Sequence, residues 1–204
     1  MLNELNGLSI VCFQDLSLYE QDKDDLDRLA SSGLWQWVSA NHRHNILVWN
    51  EEDNARRKNV GAAEVAASKR LIDQYNQQRN DSIEAIDEAI LSELGDVSLA
   101  SNARLNSETP GSMIDRLSIL ALKIFHLREQ VERLDGQTKI EIGRNRLERL
   151  LSQRQDLASC FDNLLKEAGE GRAYFKMYPQ LKMFNNLSLS PYSYPKSGSG
   201  KRAS

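Results

Sequence analysis

Side chains that commonly bind ligands recur at helical spacing in the segment from Leu34 to Arg57. If each residue turns the helix by about 100° and Leu34 marks the centre of the buried face, polar residues and one tryptophan face inward. They are Asn41, Asn45, Trp49, Glu52 and Arg56. Burying a polar group without a partner costs roughly 1–3 kcal/mol. This stripe therefore either meets polar partners inside the protein or lines a wet cavity.

A second polar set lies on the following predicted helix. Arg79 falls near the centre of its apolar face, and Asn76, Asn80 and Asp87 lie at the edge of that face. A guanidinium can offer a carboxylate two parallel hydrogen bonds, so we predict a buried pair between Arg79 and Glu52. Such a pair can be purely structural and set the register of two helices. The neighbouring asparagines favour a binding site, because a single ion pair does not require them.

A third polar set lies on the helix predicted after Ser112. Asp115 and His126 share a stripe opposite its main apolar seam, and Lys123 flanks that stripe. Because this helix is apolar nearly all round, we expect its polar residues to be paired internally or to face a cavity. His126 taken alone is typical of a core or boundary histidine.

These sets together suggest a cavity between the helices that binds a small polar ligand. The ligand is expected to be anionic, for example phosphorylated. Positive charge would come from Arg56, Arg79 and Lys123, together with Lys176 and Lys182 from the C-terminal segment. Glu52, Asp87 and the asparagines would orient ligand hydroxyls, and Trp49 would form an apolar wall. Whether a reaction follows binding is open; the titratable candidates are Glu52, Asp87, Asp115 and His126. The alternative is a non-enzymatic interaction or scaffold protein whose buried ion pairs are structural.

A metal-dependent enzyme is a third hypothesis. Residues 51–53 (Glu-Glu-Asp) and the pair Glu84 and Asp87 are loosely similar to the acidic motifs of all-α nucleotide pyrophosphohydrolases, which hold Mg²⁺ between helices. The similarity is incomplete, because Glu51 and Asp53 point about 100° to either side of Glu52. Mg²⁺ is therefore the cofactor to test for, and no other is indicated.

Separately, residues 109–112 (Thr-Pro-Gly-Ser) could hold an anion on free backbone N–H groups, or could be an ordinary loop and helix cap.

The hydrophobic periodicity predicts an all-α fold, a single-domain antiparallel bundle of about five main helices without strands. The predicted helices are residues 8–19, 34–57, 62–94, 112–134 and 139–169, with Gly95 as a C-cap and Ser112 as an N-cap. An aromatic, basic segment from Tyr174 to Phe184 is expected to pack on the bundle. The predicted division is a helical domain over residues 1–185 and a flexible basic tail over residues 186–204.

Composition limits the class of protein. The 204 residues are 40% hydrophobic and 27% charged, and no apolar run is long enough for a membrane span. The cytoplasm is the expected location, and Cys12 and Cys160 are expected to be reduced core residues. Six basic and no acidic residues follow Glu170, yet the acidity of the preceding body makes nucleic acid an unexpected partner. The oligomeric state is not indicated.

Several stretches carry a family resemblance. Residues 41–57, 76–81 and 105–124 resemble the bacterial family known as domain of unknown function 4254, and so do residues 174–176 and 180–185. The resemblance extends over about residues 8–192. It implies a bacterial, all-helical protein without an established activity, and a link to envelope-polysaccharide genes.

Overall fold

The computed structural model describes residues 5–19 and 33–178. In that part of the chain, five helices form the bundle, and two three-residue strands accompany them. They are α1 (Gly7–Leu18), α2 (Gly33–Ala55), α3 (Ala62–Leu94), β1 (Arg104–Asn106), α4 (Pro110–Glu132), α5 (Gln137–Gly169) and β2 (Ala173–Phe175). The predicted all-α bundle is confirmed.

The helix at the centre of the bundle is α4. It contacts each of the other four described helices, and Ile114, Leu117 and Ile124 on it are almost fully buried. Its core neighbours include Phe161 of α5 and Ile86 of α3. A helix that is apolar on nearly all sides is buried on nearly all sides, so the predicted central position of α4 is confirmed.

The start of α4 differs from the prediction. Its N-cap is Thr109 rather than Ser112, and Thr109 Oγ1 accepts a hydrogen bond from the Ser112 backbone N–H at 3.3 Å. Pro110 occupies the first turn, where a missing N–H costs nothing and the proline φ already suits a helix. The helix therefore begins before the residue predicted to cap it.

Two strands contradict the prediction that the chain contains none. β1 and β2 pair in parallel, with Arg104 opposite Ala173 and Asn106 opposite Phe175. Strands of three residues show too little alternation to be recognised in a sequence. The pairing brings the residues after β2 to the start of α4.

Part of the predicted C-terminal segment is described. Phe175 belongs to the hydrophobic core, whereas Tyr178 is exposed. Residues 179–185, Lys182 among them, and the predicted tail over residues 186–204 lie outside the described residues. Packing of the whole segment and flexibility of the tail stay predictions.

Both cysteines differ from the expectation of a core position. Cys12 and Cys160 are free but exposed, because the inner face of α1 is formed by Ile10, Phe13 and Gln14.

Among the described residues, no helix is long and apolar enough to cross a membrane.

Candidate functional site

A buried carboxylate on α4 receives the polar stripe of α2. Asp115 is 6% exposed, and its Oδ1 accepts hydrogen bonds from Nδ2 of Asn41 and of Asn45, both at 2.9 Å. Arg79 Nε of α3 lies 3.5 Å from the same oxygen. Asn41 and Asn45 are also buried. Four of the predicted polar residues, from three helices, therefore converge, and Asp115 is the common partner of the other three.

The predicted ion pair between Glu52 and Arg79 is wrong. Glu52 instead contacts Arg56 at 2.9 Å and Lys69 at 3.3 Å, and its side chain is 32% exposed. A helical wheel gives the direction of a side chain but not its position along the bundle axis. Glu52 lies about two turns beyond Asn45, near the end of α2, whereas Arg79 lies at the level of Asn45 and Asp115.

A cavity of about 190 Å³ lies beside this network. We name it the Trp49 cavity, and it is lined by Asn45, Val48, Trp49, Glu52, Asp53, Arg56, Arg79, Ile119 and Leu122. The indole of Trp49 is stacked on the imidazole of His126, so His126 supports this wall although it is not itself a lining residue. Arg56 is an exposed residue that also lines the cavity.

Two donors at the Trp49 cavity are buried without acceptors. Trp49 Nε1 and Arg79 Nε have no hydrogen-bond partner among the described atoms, since the 3.5 Å approach of Arg79 to Asp115 is an ion pair without hydrogen-bond geometry. Leaving a buried donor unsatisfied costs about 1–3 kcal/mol. An acceptor brought within hydrogen-bond distance of either donor would relieve that cost.

A histidine that was not predicted as a site residue extends the network. His42 is 2% exposed, and its Nδ1 lies 2.7 Å from Ser118 Oγ, which accepts a hydrogen bond from Asn45 Nδ2 at 3.0 Å. Burial lowers the pKa of His42 to about 4, with partial opposition from the backbone of Gln14. His42 is therefore neutral at pH 7.

The signal for His42 was present in the sequence. Trp35 and Val38 are buried together with His42, so the centre of the buried arc of α2 lies nearer Val38 than Leu34. A helical wheel centred on Val38 brings His42, at about 40° from that centre, into the interior.

A second cavity, of about 200 Å³, is lined by three of the predicted residues, Asn80, Asp87 and Lys176. We name it the Asp87 cavity. Asp87 is 3% exposed, and its Oδ1 accepts a hydrogen bond from the Gly111 backbone N–H at 2.6 Å. Burial raises the pKa of Asp87 to about 6; hydrogen bonds from the Thr109 side chain and the Gly111 backbone oppose the rise, and the charge of Glu84 adds to it.

The hydrogen bond between Gly111 and Asp87 argues against the anion site predicted at residues 109–112. The Gly111 N–H group in the first turn of α4 is already bonded to a carboxylate, that of Asp87. The Ser112 N–H is bonded to Thr109. The loop is therefore a helix cap completed by a neighbouring helix.

Two further predicted residues line neither cavity. Asn76 is half-buried and Lys123 is exposed, and neither lines the Trp49 or the Asp87 cavity. Lys176 does line the Asp87 cavity. The structure thus divides one predicted site into two.

The carboxylates of the magnesium hypothesis are not assembled. Among the residues that the structure describes, no group of three or more His, Cys, Asp or Glu side chains could hold a metal ion. Glu52 is paired with cations, and Asp87 is bonded to a backbone N–H. A site for Mg²⁺ built on these two segments therefore finds no support in the described geometry.

The class defined by this fold is an all-helical bundle with a buried polar network between three helices. The model of the family described as "Protein of unknown function (DUF4254)" matches residues 35–177. The chain belongs to that family, and the resemblance noted in the sequence is confirmed. No curated protein matches the chain, and no solved structure matches it.

Proposed function

We propose that the protein binds a small polar ligand in the Trp49 cavity through an anionic or hydroxyl acceptor group. The observation that carries the proposal is the pair of buried N–H donors, Trp49 Nε1 and Arg79 Nε, which have no hydrogen-bond partner among the described residues and belong to side chains lining one cavity. A phosphate or carboxylate oxygen would satisfy both donors, and the guanidinium would favour a negative charge.

The shape and lining of the cavity narrow the ligand. Its volume of about 190 Å³ lies below the roughly 300–1,000 Å³ typical of sites for drug-sized molecules. Ile119 and Leu122 supply an apolar side, and Glu52 and Asp53 can accept hydrogen bonds from ligand hydroxyls. We therefore propose a compact phosphorylated metabolite, related to a sugar or a nucleotide and bound in the bacterial cytoplasm.

Tryptophan fluorescence can test the proposal. The protein would be titrated with inorganic phosphate and with phosphate monoesters of sugars and nucleosides. The Trp49→Phe variant supplies the baseline from Trp35 and Trp37. We expect a saturable change in the wild type that Arg79→Met weakens at least ten-fold, which corresponds to about 1.4 kcal/mol.

The matched control is Arg104→Met, which removes an exposed arginine paired with Glu167 outside the cavity. This variant should bind like the wild type. If Arg79→Met is folded by circular dichroism and binds every probe with unchanged affinity, the Trp49 cavity is not the site. If no probe binds, the phosphorylated class of ligand is wrong.

A second candidate is an interaction protein whose polar network is structural. Two observations favour it. Asp115, Asn41 and Asn45 bind one another, and Leu8 and Leu16 of α1 are 70% and 43% exposed, respectively. Light scattering of the double variant Leu8→Lys, Leu16→Lys tests self-association through α1: a lower mass than that of the wild type supports it, and an equal mass argues against it.

A further inference from the structure

We propose that the Asp87 cavity is a second and separate binding site, which accepts a small neutral polyol the size of one sugar ring. Its walls come from α3, from the start of α4 and from the residues after β2. The proposal does not depend on the Trp49 cavity, because the two cavities share no lining residue.

The charges of the Asp87 cavity disfavour an anionic ligand. Glu84 and Asp87 line the cavity together with one basic residue, Lys176, so acidic side chains outnumber basic ones in the lining. A helix N-terminus would ordinarily attract an anion through its free N–H groups. Here the N–H groups of Gly111 and Ser112 are already bonded to Asp87 and Thr109.

A metal ion is also a poor occupant. The cavity provides two carboxyl groups, and no described group of three acidic, histidine or cysteine side chains is suited to a metal. Burial raises the pKa of Asp87 to about 6, so this carboxyl group holds its proton more readily than an exposed one. A protonated carboxyl group can donate a hydrogen bond as well as accept one.

The polar lining suits hydroxyl groups instead. Carboxyl and carboxamide groups present two polar atoms in one plane, which matches the spacing of neighbouring hydroxyls on a ring; Asn80, Glu84 and Asp87 provide such groups. Ser107 adds a hydroxyl that both donates and accepts. The polar groups can therefore follow the alternating donors and acceptors of a polyol.

The apolar lining completes the match. Ile83 and Met177 line the cavity, and Tyr178, which is 76% exposed, lies at its edge. An aromatic ring in this position can pack against the C–H face of a sugar ring. The volume of about 200 Å³ limits the ligand to roughly one ring.

Ligand-observed NMR and calorimetry can test this site with named probes. Glucose, galactose, N-acetylglucosamine and myo-inositol are the neutral polyols, and inorganic phosphate and MgCl₂ are the charged comparisons. We expect at least one polyol to bind saturably with millimolar affinity. Tyr178→Ala should weaken that binding at least five-fold without loss of fold, because this ring is exposed.

Arg79→Met is the control that separates the two sites. It should leave polyol affinity unchanged, whatever its effect on phosphorylated probes. Three results would overturn the proposal: no saturable binding of any of the four polyols, equal affinity of Tyr178→Ala and the wild type, or phosphate binding that Tyr178→Ala weakens while polyols do not bind.

Discussion

The indole of Trp49 lies parallel to the imidazole of His126, with ring centroids 4.7 Å apart and planes inclined by 6°. His126 Nδ1 also lies 3.6 Å from Glu129 Oε2 on the same helix. The imidazole is thus held from one side by its own helix and supports a wall of the Trp49 cavity from the other. A histidine that resembles a boundary residue in the sequence therefore positions the tryptophan.

Removal of the imidazole should loosen that wall. We expect His126→Ala to lower the free energy of unfolding by about 1 kcal/mol, the usual contribution of an aromatic pair beyond buried area. The Trp49 emission should shift to longer wavelength as water reaches the indole. Urea unfolding and fluorescence spectra measure both effects. His126→Phe preserves an aromatic face and should retain most of the stability; an equal loss in both variants would contradict a role for stacking.

Asp115 Oδ1 accepts two hydrogen bonds and forms an ion pair with Arg79, so the network should be sensitive to truncation of Asp115. Asp115→Ala would leave the amides of Asn41 and Asn45 without their acceptor and the guanidinium of Arg79 without its ion-pair partner. We expect a loss of about 3–5 kcal/mol in urea unfolding, the range for breaking a buried pair. Asp115→Asn retains one acceptor oxygen and should lose clearly less. Equal losses of unfolding free energy in the two variants would show that the network depends on the negative charge of Asp115 rather than on its ability to accept hydrogen bonds.

His42 should make the fold sensitive to acid. Its pKa is lowered to about 4 from an ordinary value of 6.5. Between these two pH values the unfolded chain binds a proton at His42 that the folded chain does not bind. The stability contributed by neutral His42 is complete above pH 6.5 and is lost as the pH falls towards 4. The predicted loss is up to about 3 kcal/mol.

His42→Gln isolates that contribution. The glutamine does not titrate, so the difference in unfolding free energy between wild type and variant should shrink as the pH falls from 6.5 to 4. The pKa of His44 is also lowered, mainly by burial. Because His44 is present in both proteins, its contribution cancels in the difference between their unfolding free energies. A difference that stays constant over this interval would show that His42 does not titrate as described.

The pH dependence of stability that Asp87 contributes has the opposite sign to that of His42. The pKa of Asp87 is raised to about 6 from 3.8, so the stability that the protonated form contributes is complete below pH 3.8 and is lost as the pH rises through 6. The amide of Asp87→Asn can still accept from Gly111 but never ionises. Relative to the wild type, this variant should gain up to about 3 kcal/mol between pH 4 and pH 8. Chemical unfolding at several pH values measures the gain, and a flat difference would contradict the pKa.

The close approach of α3 and α4 depends on a missing side chain. A Cβ atom at Gly111 would lie 2.5 Å from the Ile83 carbonyl oxygen and 2.9 Å from Asp87 Oδ1. Gly111→Ala should therefore destabilise the protein by about 1–3 kcal/mol, as overpacking commonly does. Gly61→Ala is the control, because a Cβ there meets nothing within 4 Å. Similar melting temperatures for the two variants would exclude the clash.

The helices could be predicted because their signals are local. Ala62–Leu94 was predicted with both ends correct, since an apolar stripe and a terminal glycine act within a few residues of each other. Gly95 adopts a φ of 62° at the helix end, a conformation that glycine adopts at little cost. The start of α4 was misplaced because Thr109 and Ser112 are both good caps, and Pro110 decides between them.

The polar contacts were less predictable because they depend on three helices at once. The wheel placed Asn41, Asn45 and Arg79 inside the bundle, but it could not show that Asp115 would be their common partner. The strand pair was missed for a related reason, since Arg104 and Ala173 are distant in the chain. Both errors concern contacts between segments that are far apart in the chain, which periodicity does not encode.

We expect the strand pair to make the Asp87 cavity open more easily than the Trp49 cavity, because the residues after β2 line only the former. The pair is three residues long, and next to it the backbone N–H of Arg104 donates to the Arg172 carbonyl oxygen at 2.9 Å. β1 is exposed at Arg104 and Leu105, whereas β2 buries Ala173 and Phe175 in the core. We nevertheless expect a unit of this size to open more often than the whole protein unfolds. The amide protons of the strand pair should exchange with solvent faster than those in the middle of α4. Each such opening would lift Lys176, Met177 and Tyr178 from the Asp87 cavity while the helices around the Trp49 cavity stay closed.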